Sequence, residues 1–266
     1  MSKRLDPKFL REQYGNASNL NARIDLHQRF STNKYDWQRW VFDRLRIPAH
    51  GHILEVGCGP GYLWSNNRDR IGRDGQVVLS DLSAGMVRTA KDHLRNLSKI
   101  YGFTVSDIQA MPFADATFDV VVANHMLYHV QDREKALSEV HRVLKVDGHF
   151  YAATNGPNHM REVFSLLQEF DRRCEMEILR IFNLANGAEQ LSGFFSQVNL
   201  HHYEDALLVT AAEPLAAYAV SMQRSKVLEE RGDEFIQFLQ TKLAAEGVIR
   251  IQKETGLFEA RKGNGV

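Results

Sequence analysis

Cysteine is nearly absent. Cys58 and Cys174 form no close pair and no CxxC, which excludes a disulfide framework and a cysteine-built zinc site. Proline is also sparse, with six in 266 residues, and there are no low-complexity blocks, internal repeats or long charge runs. A flexible interdomain linker is therefore not expected. Net charge is missing too, because 33 Lys and Arg balance 33 Asp and Glu. With no overall basic field to gather polyphosphate, a nucleic-acid partner is not expected. No run reaches the ~18 apolar residues of a membrane span, and the start Met1-Ser2-Lys3-Arg4-Leu5-Asp6-Pro7 lacks the apolar core of a secretion signal. The expected location is cytoplasmic.

What is present is a chain 44% hydrophobic, enough for one large domain with an appended cap. Strand-like and helix-like runs alternate through its middle. Ile53–Val56, Gln76–Asp81, Phe103–Ser106, Thr117–Asn124 and Gly148–Thr154 read as strands. Thr117–Asn124 is apolar almost throughout, the mark of a strand buried on both faces of a parallel sheet. Between them, Tyr62–Arg70, a run from Ser83 as N-cap to Leu97, and Asp132–Leu144 read as helices. Five alternations predict an α/β doubly wound sheet. Before it, residues 7–46, with Tyr14, Trp37 and Trp40, predict two or three helices, the last ended by Pro48. After it come a helix over Met160–Cys174, a strand over Val198–Thr210, helices over Pro214–Met222 and Glu234–Glu246, and a last strand over Val248–Ala260 in which Gly256 marks a bulge.

The first strand runs into Glu55-Val56-Gly57-Cys58-Gly59-Pro60-Gly61. Gly57 and Gly59 permit backbone conformations closed to other residues and let a ligand approach the main chain, and Gly61 lets the following helix pack near the strand. Nicotinamide enzymes, flavoproteins and methyltransferases all use such a turn. Asp81, at the end of the second strand and twenty positions beyond Gly61, adds a carboxylate placed to accept both ribose hydroxyls of an adenosine.

Taken together, these residues resemble the class I S-adenosylmethionine-dependent methyltransferases, of the group that includes small-molecule and quinone-precursor enzymes. The stretch 55–61 is similar to that family's (D/E)xGxGxG and not to GxGxxG. Asp107-Ile108-Gln109-Ala110-Met111-Pro112-Phe113 is similar to its VxDxxxxPF stretch. Phe118-Asp119-Val120-Val121 and the segment from Glu139 to Phe150 match FDxV and (R)xLKPGGxF, with Val146-Asp147 in place of Pro-Gly. The matches cover roughly residues 50–155. The resemblance implies a Rossmann-like seven-stranded sheet, mostly parallel with an antiparallel last strand, and a helical cap. It also implies S-adenosyl-L-methionine as cofactor and S-adenosyl-L-homocysteine as product. Glu55 would support the cofactor's amino acid end, Asp81 the ribose, Asp107 the adenine amino group and Ile108 the ring face. Gly57, Cys58, Gly59, Gly61, Leu82 and Asn124 complete the expected cofactor set.

Asn124-His125-Met126-Leu127-Tyr128-His129 follows the fourth strand, at the sheet edge where open α/β folds bind ligands. His129, His125 and Tyr128 are the candidate bases or orienting groups for an acceptor that must lose a proton. Asn124 lacks the Pro-Pro-aromatic that amino-methylating nucleic-acid enzymes carry, and no metal set is indicated. His27, Arg29, Tyr35 and Trp37 belong to the N-terminal helices expected to fold over the cofactor, and His201-His202 reads as structural. The layout is a helical cap at 1–48, a cofactor-binding core at 49–156, and completion of the sheet with an acceptor pocket at 157–266. Phe164, Leu167, Phe170, Phe182, Phe194 and Phe195 there favour a small or medium organic acceptor. Two other readings are a methyltransferase-like binding protein without catalysis and, less favoured, a nicotinamide oxidoreductase.

Overall fold

Residues in a strand point alternately to the two faces of its sheet, so a run apolar at every position needs cover on both sides. The computed structural model gives the two central strands that cover. It describes residues 18–71, 75–96, 101–174, 181–222 and 226–263. Tyr14, Gly72, Leu97 and the final residues 264–266 lie outside the described residues.

In chain order the elements are α1 (Ser18–Phe30), α2 (Trp37–Phe42), β1 (His52–Val56), α3 (Tyr62–Ser65), β2 (Gln76–Asp81), α4 (Ala84–Leu94), β3 (Tyr101–Val105), β4 (Phe118–Asn124), α5 (Arg133–Val143), β5 (Leu144–Asn155), α6 (Arg161–Phe170), α7 (Gly187–Ser192), β6 (Gln197–Tyr203), β7 (Ala206–Val209), α8 (Ala212–Met222), α9 (Lys226–Glu230), α10 (Gly232–Glu246), β8 (Ile249–Gln252) and β9 (Thr255–Arg261). The sheet order is β3-β2-β1-β4-β5-β9-β6. Every neighbouring pair from β3 to β5 is parallel, and β9 lies antiparallel between β5 and β6. This is the seven-stranded sheet with an antiparallel last strand that the resemblance implies. Because β2 and β4 flank β1 on opposite sides, the connection reverses there, and a crevice opens at the carboxyl ends of β1 and β4.

Side-chain alternation sorts the core into two layers. Leu54, Val56, Val121 and Ala123 face Leu137 and Val140 of α5, whereas Ile53, Val120 and Val122 face Trp40, Trp64 and Leu94 on the other side. Ser83 caps α4, its hydroxyl accepting from the Met86 N–H, and Asp132 caps α5 through the Lys135 N–H at 3.0 Å. A third cluster joins Leu26 of α1, Leu167 of α6, Leu215 and Tyr218 of α8, Phe235 and Leu239 of α10, and the strands β7 and β8. This cluster is the core of the cap.

The cap corrects several sequence-based expectations. Val198–Thr210 and Val248–Ala260 are not single strands: each leaves the main sheet and re-forms in a separate two-stranded sheet, β7-β8. The last main-sheet pair is Tyr203↔Thr255 and the nearest pair of the small sheet is Ala206↔Gln252. Between them the chain turns at Glu204-Asp205 and Lys253-Glu254, and Lys253 pairs with Asp205 across the bend. Gly256 keeps regular register and makes no bulge; a Cβ there would meet the His201 carbonyl at 2.8 Å. Helix α2 stops at Phe42, before Pro48, and α3 is a single turn ending at Ser65.

Candidate active site

Three glycines with φ of +64°, +53° and +77° (Gly57, Gly59 and Gly61) carry the chain from β1 to α3. The Cys58 N–H donates to the Ser80 carbonyl at 2.9 Å, seating the turn on β2. A Cβ on Gly57 would lie 2.7 Å from Met126 Cγ, while one on Gly59 would meet nothing within 4 Å. Gly59 therefore presents bare backbone to open space. Gly61 packs behind the turn, its Cβ position 3.1 Å from Leu94 Cδ1.

Asp81 spans this turn and the next. Its carboxylate accepts the Gly59 N–H at 2.9 Å and the Ser83 N–H at 2.8 Å. Burial raises its pKa against the pull of those two donors. Glu55 is 2% exposed and accepts from the Trp64 indole N–H at 2.8 Å. Burial pushes its pKa up to about 8, the Trp64 hydrogen bond opposes this and the Asp81 charge adds to it. Beyond β3, Asp107 accepts the Gln109 backbone N–H at 2.9 Å and its side-chain amide at 3.0 Å, and Ile108 is buried beside it.

At the end of β4, Asn124 ties the sheet to α2. Its Oδ1 accepts the Trp37 indole N–H at 3.2 Å and its amide donates to Gln38 Oε1 at 2.9 Å. His125 follows in the left-handed region with φ +58° and its ring 5.1 Å from Trp37. Burial and then the Lys253 charge lower its pKa to about 4. Tyr128 and His129 lie on or beside a single 3-10 turn, Leu127–His129, with their rings 4.6 Å apart.

A cavity of about 1030 Å³ joins these parts. Its lining holds Glu55, Gly57, Cys58, Gly59, Asp81, Leu82, Asp107, Ile108, Asn124, His125, Tyr128 and His129; Gly61 lies outside it. His27, Tyr35 and Trp37 also line it, whereas Arg29 pairs with Asp25 on the surface at 3.6 Å. Of the expected pocket aromatics, Phe164 and Phe182 line the cavity. Leu167 and Phe170 pack in the cap core, and Phe194 and Phe195 in the core beneath the main sheet. His201 bonds Glu259 at 3.1 Å, a structural role.

Sequence reasoning did not single out His159 or Lys253, which line the same cavity. His159 accepts the Glu254 N–H on Nδ1 at 3.2 Å. Asp205, paired with Lys253, also accepts from Ser31 Oγ at 2.8 Å and the Asn33 N–H at 3.0 Å, which binds the segment after α1 to the bend between the two sheets. Neither residue stands in a motif. Lys253 lies in a strand-like run that also carries Arg250, Glu254 and Glu259, and His159 lies in the loop 156–160, so neither stood out.

A family model described as a methyltransferase domain matches residues 54–152. The ubiquinone/menaquinone biosynthesis C-methyltransferase UbiE of Xanthomonas oryzae pv. oryzae is 34% identical over 114 residues, 42% of this chain and 45% of that protein. UbiE of Haemophilus ducreyi is 27% identical over 175 residues, 64% and 66% of the two chains. The first of these alignments spans about half the length of the curated relative. Among solved structures, the YcgJ protein from Bacillus subtilis superposes with a TM-score of 0.59 at 17% identity, covering 86% of this chain and 98% of that one. The [4+2]-cyclase SpnF superposes with 0.57 at 18%, covering 93% and 97%. These two likenesses concern the fold, and the sequence match concerns its centre. Residues 54–152 thus match a methyltransferase domain at the centre of the fold.

Proposed function

We propose that this chain moves a methyl group from S-adenosylmethionine to a small or medium-sized organic acceptor. One observation carries the reading: a single cavity at the β1/β4 switch point is lined by the whole carboxylate set at one end and by histidines and cap residues at the other. The bare backbone at Gly59, where a Cβ would meet nothing within 4 Å, suits close approach of a cofactor chain. Asp81 and Asp107 are acceptors matched to two hydroxyls and an exocyclic amine, and Glu55 becomes one matched to an ammonium on releasing its proton. The residues present therefore fit the cofactor.

In this reading Glu55, Gly57, Cys58 and Gly59 hold the amino acid end, Asp81 and Leu82 the ribose, and Asp107 and Ile108 the adenine. Gly61 sets the helix behind them, and Asn124 fixes the Trp37 wall. When bound, S-adenosylmethionine supplies a methyl group already activated on a sulfonium for in-line displacement. The protein's share is then alignment, which contributes on the order of 7–11 kcal/mol when the reacting atoms are held in line. His125, neutral at pH 7 because its pKa is near 4, accepts a proton from the acceptor or orients it, with Tyr128 and His129 beside it. The names of the curated relatives bring carbon acceptors forward alongside oxygen and nitrogen.

The test is a calorimetric titration with S-adenosylhomocysteine, with NAD in parallel. Micromolar binding of the former alone is expected, and Asp81→Ala and Gly59→Val should each lower that affinity by at least about tenfold while the protein stays folded. Unchanged affinity in both variants would overturn the site assignment.

A further inference from the structure

The two ends of the cavity stand on different halves of the sheet. Glu55 and Asp81 stand at the carboxyl ends of β1 and β2, and Asp107 follows β3. His125, His159 and Lys253 stand at the ends of β4, β5 and β9 on the other half, and His27 reaches the same end from α1. Topology thus divides the lining into an acidic side and a side of donors. The cap's own lining carboxylates are already engaged: Asp25 pairs with Arg29, and Asp36 caps α2 through the Arg39 N–H at 3.0 Å.

The donor side is built and not incidental. Because the Glu254 N–H donates to His159 Nδ1, the neutral ring carries its proton on Nε2 and is a donor there. Thr255 Oγ1 also lies 3.3 Å from that Nδ1, and its hydroxyl donates to Asn155 Oδ1 at 3.0 Å. Lys253 has three N–H donors. Asp205 takes one and Ser31 Oγ, at 3.3 Å, a second, which leaves the third. His27 stands edge-on to Tyr218 at 5.8 Å, and its buried Nδ1 has no hydrogen-bond partner among the described residues.

We propose that this end of the cavity is an anion-recognising subsite in which His27, His159 and Lys253 receive an anionic oxygen of the acceptor, from a carboxylate or from an acidic phenol or enol. Lys253 is the one cation among the three and is already paired with Asp205, so what this end of the cavity offers an anionic oxygen is N–H donors and not a net positive charge. Protonation of the histidines themselves is opposed: burial and then Lys253 lower His27 to about 3, and burial and then His27 lower His159 well below its ordinary value. They therefore act as neutral donors around one fixed cation. Calling the ligand the acceptor rests on the methyltransferase reading; the anion preference does not.

The experiment compares anions with neutral partners of the same shape, with and without S-adenosylhomocysteine. Benzoate is set against benzamide, and 4-nitrophenolate against 4-nitroanisole. A preference of about tenfold or more for an anion, the scale of one charge-assisted hydrogen bond, is expected, and the anion that shows it identifies the oxygen's source. His159→Gln and His27→Leu should each bring the ratio toward one in a protein that still unfolds cooperatively. Lys253→Met strands a buried Asp205, so the lysine is tested as Lys253→Met with Asp205→Asn. Equal binding of anion and neutral partner, or binding of neither anion, overturns the subsite. Anion preference in a protein that fails to bind S-adenosylhomocysteine would support the subsite and remove the methyltransferase reading instead.

Discussion

Glu55 carries a proton in the folded protein that it releases when unfolded, because burial raises its pKa from 4.5 to about 8. The native state therefore binds more protons than the unfolded chain across that interval. Stability from this group is full at the acid end and falls as pH rises from 4.5 toward 8. Thermal unfolding of Glu55→Gln should lose less stability than the wild type between those limits, and parallel curves would show that Glu55 is ionised in the fold. His125 permits a second test at this scale. Its φ of +58° suits asparagine, so His125→Asn removes the imidazole with little backbone strain. If His125 is the base, turnover falls by about 10²–10⁴ with S-adenosylhomocysteine affinity retained; unchanged turnover assigns the ring to packing.

At the scale of elements, the β1–α3 turn and the β9 strand each depend on a missing Cβ. Gly57→Ala combines φ +64° with a contact 2.7 Å from Met126 Cγ. Gly256→Ala sets a methyl group 2.8 Å from the His201 carbonyl, near the start of a strand paired on both sides. Each is expected to cost about 1–3 kcal/mol, read as a lower midpoint in denaturant at unchanged slope. Gly59→Ala meets no neighbour within 4 Å and has only its φ of +53° against it. It should therefore destabilise less than Gly57→Ala while disturbing the ligand cradle more, a contrast that a denaturant titration and a binding titration read separately.

Across the whole molecule, main sheet, cap sheet and N-terminal segment meet at Asp205 and Lys253. Their side chains are 0% and 10% exposed, and Ser31, Thr32 and Asn33 converge on the same carboxylate. Removing one member of a buried pair leaves a charge without its counterion. Asp205→Leu should cost about 3–5 kcal/mol, and hydrogen exchange should rise together in α1, β7 and β8 while β1 and β4 stay protected. Loss confined to the bend itself would show that the cap is held by its apolar core alone. Among the described residues no helix is long and apolar enough to cross a membrane.

Much of this protein is legible in its sequence because the reasons are local. A strand apolar on both faces, Thr117–Asn124, can sit only inside a sheet, and Gly57, Gly59 and Asp81 mark the crevice where that sheet reverses. Ser83 caps its helix as the sequence predicts. The other end of the cavity was decided otherwise. Val198–Thr210 and Val248–Ala260 each look like one strand, since strand-like residues continue on both sides of the bend, and only pairing reveals where β6 gives way to β7 and β8 to β9. His27, His159 and Lys253 lie more than 90 positions apart along the chain, and no spacing rule joins them. Sequence alone set the sheet and the glycine turn, through periodicity and backbone freedom. Tertiary structure alone brought the donors together, because long-range packing of cap on sheet chooses which distant side chains share a cavity.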